Sequence, residues 1–162
     1  EGTVVAGGTV LQVQGEDAPR HRAAWFVEAR GGADVRPAPS AAPGADVYSF
    51  NDEAALLMHL REYIVAADAD VLVGYDLLNG HLTSLVARVE ATGVSKRCAF
   101  ALGRLKAMAT KAKSTTFETR QMGKHETKEI NVEGRLLFDM EVILEREAKL
   151  CSYSLSALAL QF

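Results

Sequence analysis

The chain has 162 residues, 48% of them apolar and 24% charged, with a formal net charge of −3; this is the composition of a globular domain long enough for one real core. No run of about 18 uninterrupted apolar residues occurs, which excludes a membrane-spanning helix. The start, "EGTVVAGG", has no basic segment ahead of an apolar one and so does not read as a secretory signal; without an initiator Met it reads as a piece of a longer chain.

Thr3 to Gln14 is β-branched and roughly alternating, closed by the turn Gly15-Glu16-Asp17, and is expected to be a strand. Ala23 to Ala29 is its expected antiparallel partner. The segment 31–45 holds three prolines and three glycines among small residues and reads as a surface loop. From Tyr48 onward "YSFNDEAALLMHLREYIVAADAD" carries the clearest helical pattern, with Leu56, Leu57, Leu60, Tyr63, Ile64 and Ala67 on one face. Asn51 or Asp52 can cap it, and the acids of its first turn suit the helix dipole.

Val71 to Val73 is a continuous apolar run, the mark of a strand buried on both faces. Leu82 to Ala91 is a second helix with Leu82, Leu85, Val86 and Val89 inward and Gly93 as its C-terminal cap. "TTFETRQ" and "TKEINVE" alternate on either side of "MGKHE", a β-hairpin at about 114–133 with a loop of about five residues. "GRLLFDMEVILEREAKL" is a strand running into a helix, and "SYSLSALALQF" begins another, capped by Ser152 or Ser154. Strands and helices interleave, so the class is α/β, or α+β with an antiparallel hairpin at one side, in one domain over residues 1–162.

Charge is segregated. Lys96 to Lys128 holds nine Lys/Arg against Glu118 and Glu126, a net +7, which leaves −10 for the rest of the chain. Such a block is either a solvated basic face or the footprint of a polyanionic partner. Cys98 and Cys151 have no CxxC spacing and read as reduced thiols of a reducing compartment. No phosphate loop, GxGxxG, GxSxG or paired-histidine signature occurs.

One stretch has the layout of a catalytic corner: "GYDLLNGH", Gly74 to His81, between a strand and a helix. Two-metal phosphodiester hydrolysis needs several carboxylates converging on ions about 4 Å apart. Here only Asp76 supplies one, and it is the weak metal candidate; His81 offers a nitrogen better suited to zinc than to magnesium. Asn79-Gly80 reads first as a turn, since both residues tolerate positive φ. Asp139, an acid in the apolar run "LLFDMEVI", either caps the following helix or serves a site.

The blocks "DADVLVGYDLLNGHLTSLVARVEATGV", "LGRL", "STTFETRQMGKHETKEINVEGRLLFDM" and "KLCSYSLSALALQF", in this order, resemble the exonuclease domain of eukaryotic family B DNA polymerases. The match runs closely from Val47 to Phe162 and loosely before it. The resemblance implies an RNase H-like (DnaQ-like) exonuclease fold with an inserted β-hairpin, incomplete at both ends. The parent would be a replicative, nuclear polymerase that uses magnesium ions to proofread in the 3′→5′ direction, with DNA and accessory subunits as partners. In the family's second exonuclease motif Gly-Tyr or Gly-Trp is followed by Asn, three residues, Phe and Asp. Gly74 and Tyr75 match, but the Asn falls on Asp76, the Phe on Gly80 and the metal-binding Asp on His81. Leu82, Leu85 and Arg88 keep the scaffold. The first motif, Asp-x-Glu, is expected upstream of Glu1 and the third, Tyr-x₃-Asp, downstream of Phe162; Tyr153 is no substitute, since Ala157 stands where the acid would be.

The resemblance thus implies a nuclease turn without nuclease chemistry, so that no catalytic residue and no cofactor is expected within these residues. It also implies a hairpin region that contacts DNA, with Arg104, Lys106, Lys111, Lys113, Arg120, Lys124 and Lys128 neutralising phosphates. Two rival readings are an active proofreading nuclease whose acids come from Asp76 and from outside the chain, and an RNase H-like interaction module that does not bind DNA.

Overall fold

The computed structural model describes residues 2–28, 44–97, 99–105, 108–119, 123–150 and 152–161. Strand β1, Ala6–Leu11, pairs antiparallel with β2, His21–Val27, Ala6 opposite Phe26 and Leu11 opposite His21. Thr3 to Gln14 is therefore only half strand: the ladder ends where Arg20 N–H reaches Leu11 C=O at 2.8 Å and the chain turns. A third strand, β3, Asp46–Phe50, adds parallel to β2 with Trp25 opposite Tyr48. From the sequence no strand is expected here: Tyr48 to Phe50 goes with the helical stretch, ahead of the cap at Asn51 or Asp52. "DVYSF" is β-branched and aromatic, and Asn51-Asp52 ends it. The loop expected over 31–45 lies outside the described residues except for Gly44 and Ala45.

Helix α1, Glu53–Ala67, starts on Asp52, whose Oδ1 accepts Ala55 N–H at 2.6 Å. It stands between two apolar clusters. Leu56 and Leu60 pack with Ala23 and Trp25 of β2, while Leu57 packs with Leu82, Val89, Phe100, Leu102 and Ile130. Trp25, 1% exposed, donates its Nε1–H to His59 Nδ1 at 2.9 Å and lies edge-on to Tyr63. Glu53, also buried, joins α1 to the next helix: its carboxylate takes Arg88 Nε and Nη2 at 2.8 and 2.6 Å and Val4 N–H at 2.8 Å. The Arg88 hydrogen bonds hold the Glu53 carboxyl below its ordinary range against the opposing cost of burial.

Strand β4, Val71–Gly74, leads into a π-helical segment, Leu77–Leu82, then α2, Thr83–Ala91, and the short α3, Val94–Arg97. Leu82, Val86 and Val89 are buried, as their spacing implies, and Gly93 takes φ +74° just past the C-cap Thr92. β4 pairs parallel with β7, Leu136–Asp139, with Val71 opposite Leu136 and Gly74 opposite Asp139. Burial on both faces of β4 does not occur. Leu72 and Leu137 pack on the core, whereas Val71 and Val73 are 38% and 60% exposed, in register with exposed Leu136 and Phe138. β7 runs directly into α4, Met140–Glu147, and α5, Leu155–Gln161, follows, with Ser154 Oγ accepting Ala157 N–H at 3.3 Å.

The hairpin is β5, Lys111–Thr119, and β6, Gly123–Asn131. Three residues rather than five join its strands, and Lys124, expected at the tip, is in β6 opposite Glu118. "GKHE" is read as loop from its Gly and charges, but it continues the ladder. At the hairpin's root Ile130 and Val132 are buried in the main cluster. Gly103 lies so close to Glu133 that a Cβ would sit 2.8 Å from its backbone nitrogen, so only glycine lets the Ala101–Arg104 segment reach the root. The class is mixed α/β with small sheets among the described residues, and no helix there is long and apolar enough to cross a membrane.

Candidate active site and nucleic-acid interface

The corner lies at the carboxyl ends of β4 and β7, the side of a parallel sheet where side chains from several strands converge. Asp76 leaves β4 in the left-handed region, φ +50°, and its backbone carbonyl accepts both Gly80 N–H and His81 N–H at 3.1 Å. The second bond spans five residues and defines the π-turn. That turn brings Leu77 and Leu82, five apart, to the same side, and both are buried in the main cluster. Positive φ is thus at Asp76 and not at Asn79-Gly80, which lie inside the π-turn. An Asp tolerates this conformation because its short carboxylate closes back on local backbone. Here Oδ1 accepts Gly80 N–H at 3.0 Å. The carboxylate lies against Gly80, where a Cβ would be 2.8 Å from Asp76 Cγ, so Asp76 in this pose requires glycine at 80.

Asp139 does more than cap. It is 5% exposed; Oδ1 accepts Glu141 N–H at 3.2 Å, starting α4, and Oδ2 accepts Leu78 N–H at 2.9 Å across the sheet end. Both oxygens are committed to backbone donors. Tyr75 OH donates to Tyr153 C=O. Tyr153 OH in turn donates to Ala148 C=O at 2.7 Å, so the α4–α5 connection is tied to the corner. Glu141 and Glu145, one turn apart on α4, complete an electronegative group. Desolvation first, then the charges of Asp76, Glu145 and Asp139, raise the Glu141 carboxyl above its ordinary value. Desolvation and the same acids raise the Tyr75 phenol. From the sequence Asp139 alone is singled out; the spacing Asp139-x-Glu141-x₃-Glu145 could have signalled the other two acids, but their nearness to Asp76 depends on the parallel pairing of β4 with β7.

Magnesium, which the resemblance implies for the parent enzyme, demands converging hard oxygen ligands. The residues here do not supply them: the Asp76 Oδ1 and both Asp139 oxygens accept backbone N–H groups, and His81 is exposed at the π-turn. Among the described residues no three His, Cys, Asp or Glu side chains are grouped to hold a metal ion.

The seven basic candidates fall into different situations. Lys111 and Lys113 are exposed at the root of β5, opposite Asn131 and Glu129. Lys128 and Lys124 pair with Ser114 and Glu118, so by strand alternation their positions share the ladder face of Ile130, opposite to that of Lys111 and Lys113. Arg104 is taken up within the fold. Its Nε and Nη2 bind Asp68 at 2.9 Å and Asp70 at 2.6 Å, which raises its pKa further above the usual guanidinium value. Lys106 and Arg120, with Cys98 and Cys151, lie outside the described residues.

Comparison with known proteins places this geometry in context. The family model for the DNA polymerase family B exonuclease domain matches residues 14–158. A DNA polymerase delta catalytic subunit of Plasmodium falciparum is 41% identical over 120 residues, 74% of this chain and 11% of that protein. Those of Glycine max and Arabidopsis thaliana are 32% and 34% identical over 161 residues, 98% of this chain and 14% of each relative. The chain therefore spans between about a tenth and a seventh of the length of these relatives.

Proposed function

The chain belongs to the exonuclease-domain family of family B DNA polymerases, among relatives that are delta catalytic subunits, and on that premise we propose that it contacts DNA in a replicative, nuclear polymerase without cutting it. The fold expected for such a domain is RNase H-like with the β5–β6 hairpin inserted. One observation carries the loss of nuclease chemistry. Asp76 folds back on Gly80 N–H, and the glycine that this pose requires stands where the family has Phe, next to a His where the family has its metal-binding Asp. Two of the departures are therefore coupled, since a Phe at 80 would displace the Asp76 carboxylate, and the His at 81 stands beside them. An imidazole in place of a carboxylate also removes negative charge from a site that must hold two dications. DNA would be held by phosphate contacts from exposed Lys111 and Lys113 and from the positions of Arg120, Lys124 and Lys128, sequence-independent and weakened by salt. The test is a crystal of the full-length protein soaked in manganese. The proposal expects no ion pair at Asp76 and His81, and two ions ligated there would refute it.

A retained activity has one observation in its favour: Asp76, Glu145 and Asp139 lie near enough to help raise the Glu141 carboxyl, although no three acids among the described residues are grouped to hold a metal ion. With the first and third motifs supplied by the remainder of a parent chain, such a group would assist a nuclease.

A further inference from the structure

A cleft of about 520 Å³ lies away from the strand-end corner, between Arg61 and Val65 of α1, Asp68 just past its end, and the side chains or backbone of Ala101, Gly103, Arg104 and Arg135. Three guanidinium groups and one carboxylate line it, and their bonding is unequal. Arg135 is buried, with Nε on Leu102 C=O at 2.9 Å and Nη2 on Asp68 at 3.2 Å. Arg104 uses Nε on Asp68, Nη2 on Asp70 and Nη1 on Gly134 C=O at 3.2 Å. Arg61 differs: its Nε is shut off from solvent with no acceptor among the described residues. A buried donor of this kind is costly unless something accepts from it. With Asp70 counted, three cations face two anions, a net +1.

We propose that this cleft binds one phosphate group, held by Arg61. A phosphate entering the cleft would meet Arg61 at its two Nη groups, since the Nε is shut off from solvent. Arg104 and Arg135 are balanced by Asp68 and Asp70, so the charge of Arg61 is the one left over. The volume exceeds what a single water needs and lies in the range of ligand sites. The cleft also adjoins the hairpin root. Arg104 N–H bonds Glu133 C=O at 2.8 Å, and Lys111 pairs with Asn131, so cleft and lysines flank one short segment. A nucleic-acid backbone following the hairpin root would bring a phosphate to Arg61; a free phosphate has the same chemistry. The nucleic-acid source rests on the DNA-contact reading, but the site itself does not.

Phenylglyoxal modification of Arg61 in the full-length protein, followed by mass spectrometry, tests the site directly. Inorganic phosphate should slow Arg61 modification relative to chloride at equal ionic strength, with exposed Arg146, which does not line the cleft, as the internal reference. Binding of a fluorescent oligo-dT to Arg61→Gln then identifies the source. A fall in the salt slope by about 0.7, one phosphate on a single strand, assigns the cleft to nucleic acid. Protection with an unchanged slope assigns it to free phosphate. No protection by phosphate together with an unchanged slope overturns the site. If Lys111→Ala/Lys113→Ala still lowers the slope in that case, the hairpin reading stands without the cleft.

Discussion

Replacing Asp139 by Ala separates a structural clamp from a member of a metal-binding group. The carboxylate is buried and accepts Glu141 N–H at 3.2 Å and Leu78 N–H at 2.9 Å. Loss of an N-cap costs roughly 0.5–2 kcal/mol. Leaving the Leu78 donor without its acceptor costs roughly 1–3 kcal/mol more. Relief of repulsion with Asp76, Glu141 and Glu145 returns a little of this, and the balance is a loss of roughly 2–4 kcal/mol. Asp139→Asn keeps one carbonyl oxygen and should lose about half as much. Urea unfolding measures both, with the fluorescence of Trp25, the single and buried tryptophan, checked against circular dichroism for two-state behaviour. Hydrogen exchange at Leu78 should accelerate in parallel. If Asp139→Ala is within about 0.5 kcal/mol of the parent chain, or more stable, the clamp is wrong. Asp139 would then be one of several mutually repelling carboxylates, as in a site built for a cation.

Three further outcomes follow from the same geometry. Glu53 has a folded pKa lowered by Arg88 from an ordinary 4.5, so its contribution is complete above that unfolded value and is lost as pH falls through the folded one; Glu53→Gln should flatten the acid limb of a stability–pH curve. Leu57, fully buried, should lose roughly 3–5 kcal/mol on change to Ala, whereas Leu160, 91% exposed, should change by less than about 0.5 kcal/mol in the same urea titration. Changing Lys111 and Lys113 together to Ala should lower the slope of log K against log salt for duplex DNA by about 2, equally for unrelated sequences, as read by fluorescence anisotropy.

The legible parts of the fold are those decided locally. The face of α1, its cap near Asp52, the inward residues of α2 and the capping Ser154 all depend on spacing and side-chain chemistry within a few residues. The parts that were not legible depend on distant partners. "DVYSF" becomes a strand because β2 lies beside it, and Val73 is 60% exposed because the main cluster covers only the face of β4 that carries Leu72. The π-turn is the clearest case. Asn79-Gly80 has turn chemistry, yet the backbone reversal is carried by Asp76, since Leu77 and Leu82 must both reach the main cluster and Asp139 holds Leu78 N–H in place. The candidate corner was legible as a motif with three altered positions; that two of them, Asp76 and Gly80, depend on one another follows only from the Asp76 carboxylate lying against Gly80.

The central claim, a family B exonuclease domain whose corner no longer cuts, is tested most directly by one rate. The full-length protein is given a single-stranded DNA with a labelled 3′ end in magnesium, without nucleotides, and shortening of the strand is followed by gel. The account predicts binding without shortening beyond that of a no-enzyme control. Stepwise removal of 3′ nucleotides at a rate typical of proofreading enzymes, abolished by Asp76→Ala, would contradict it.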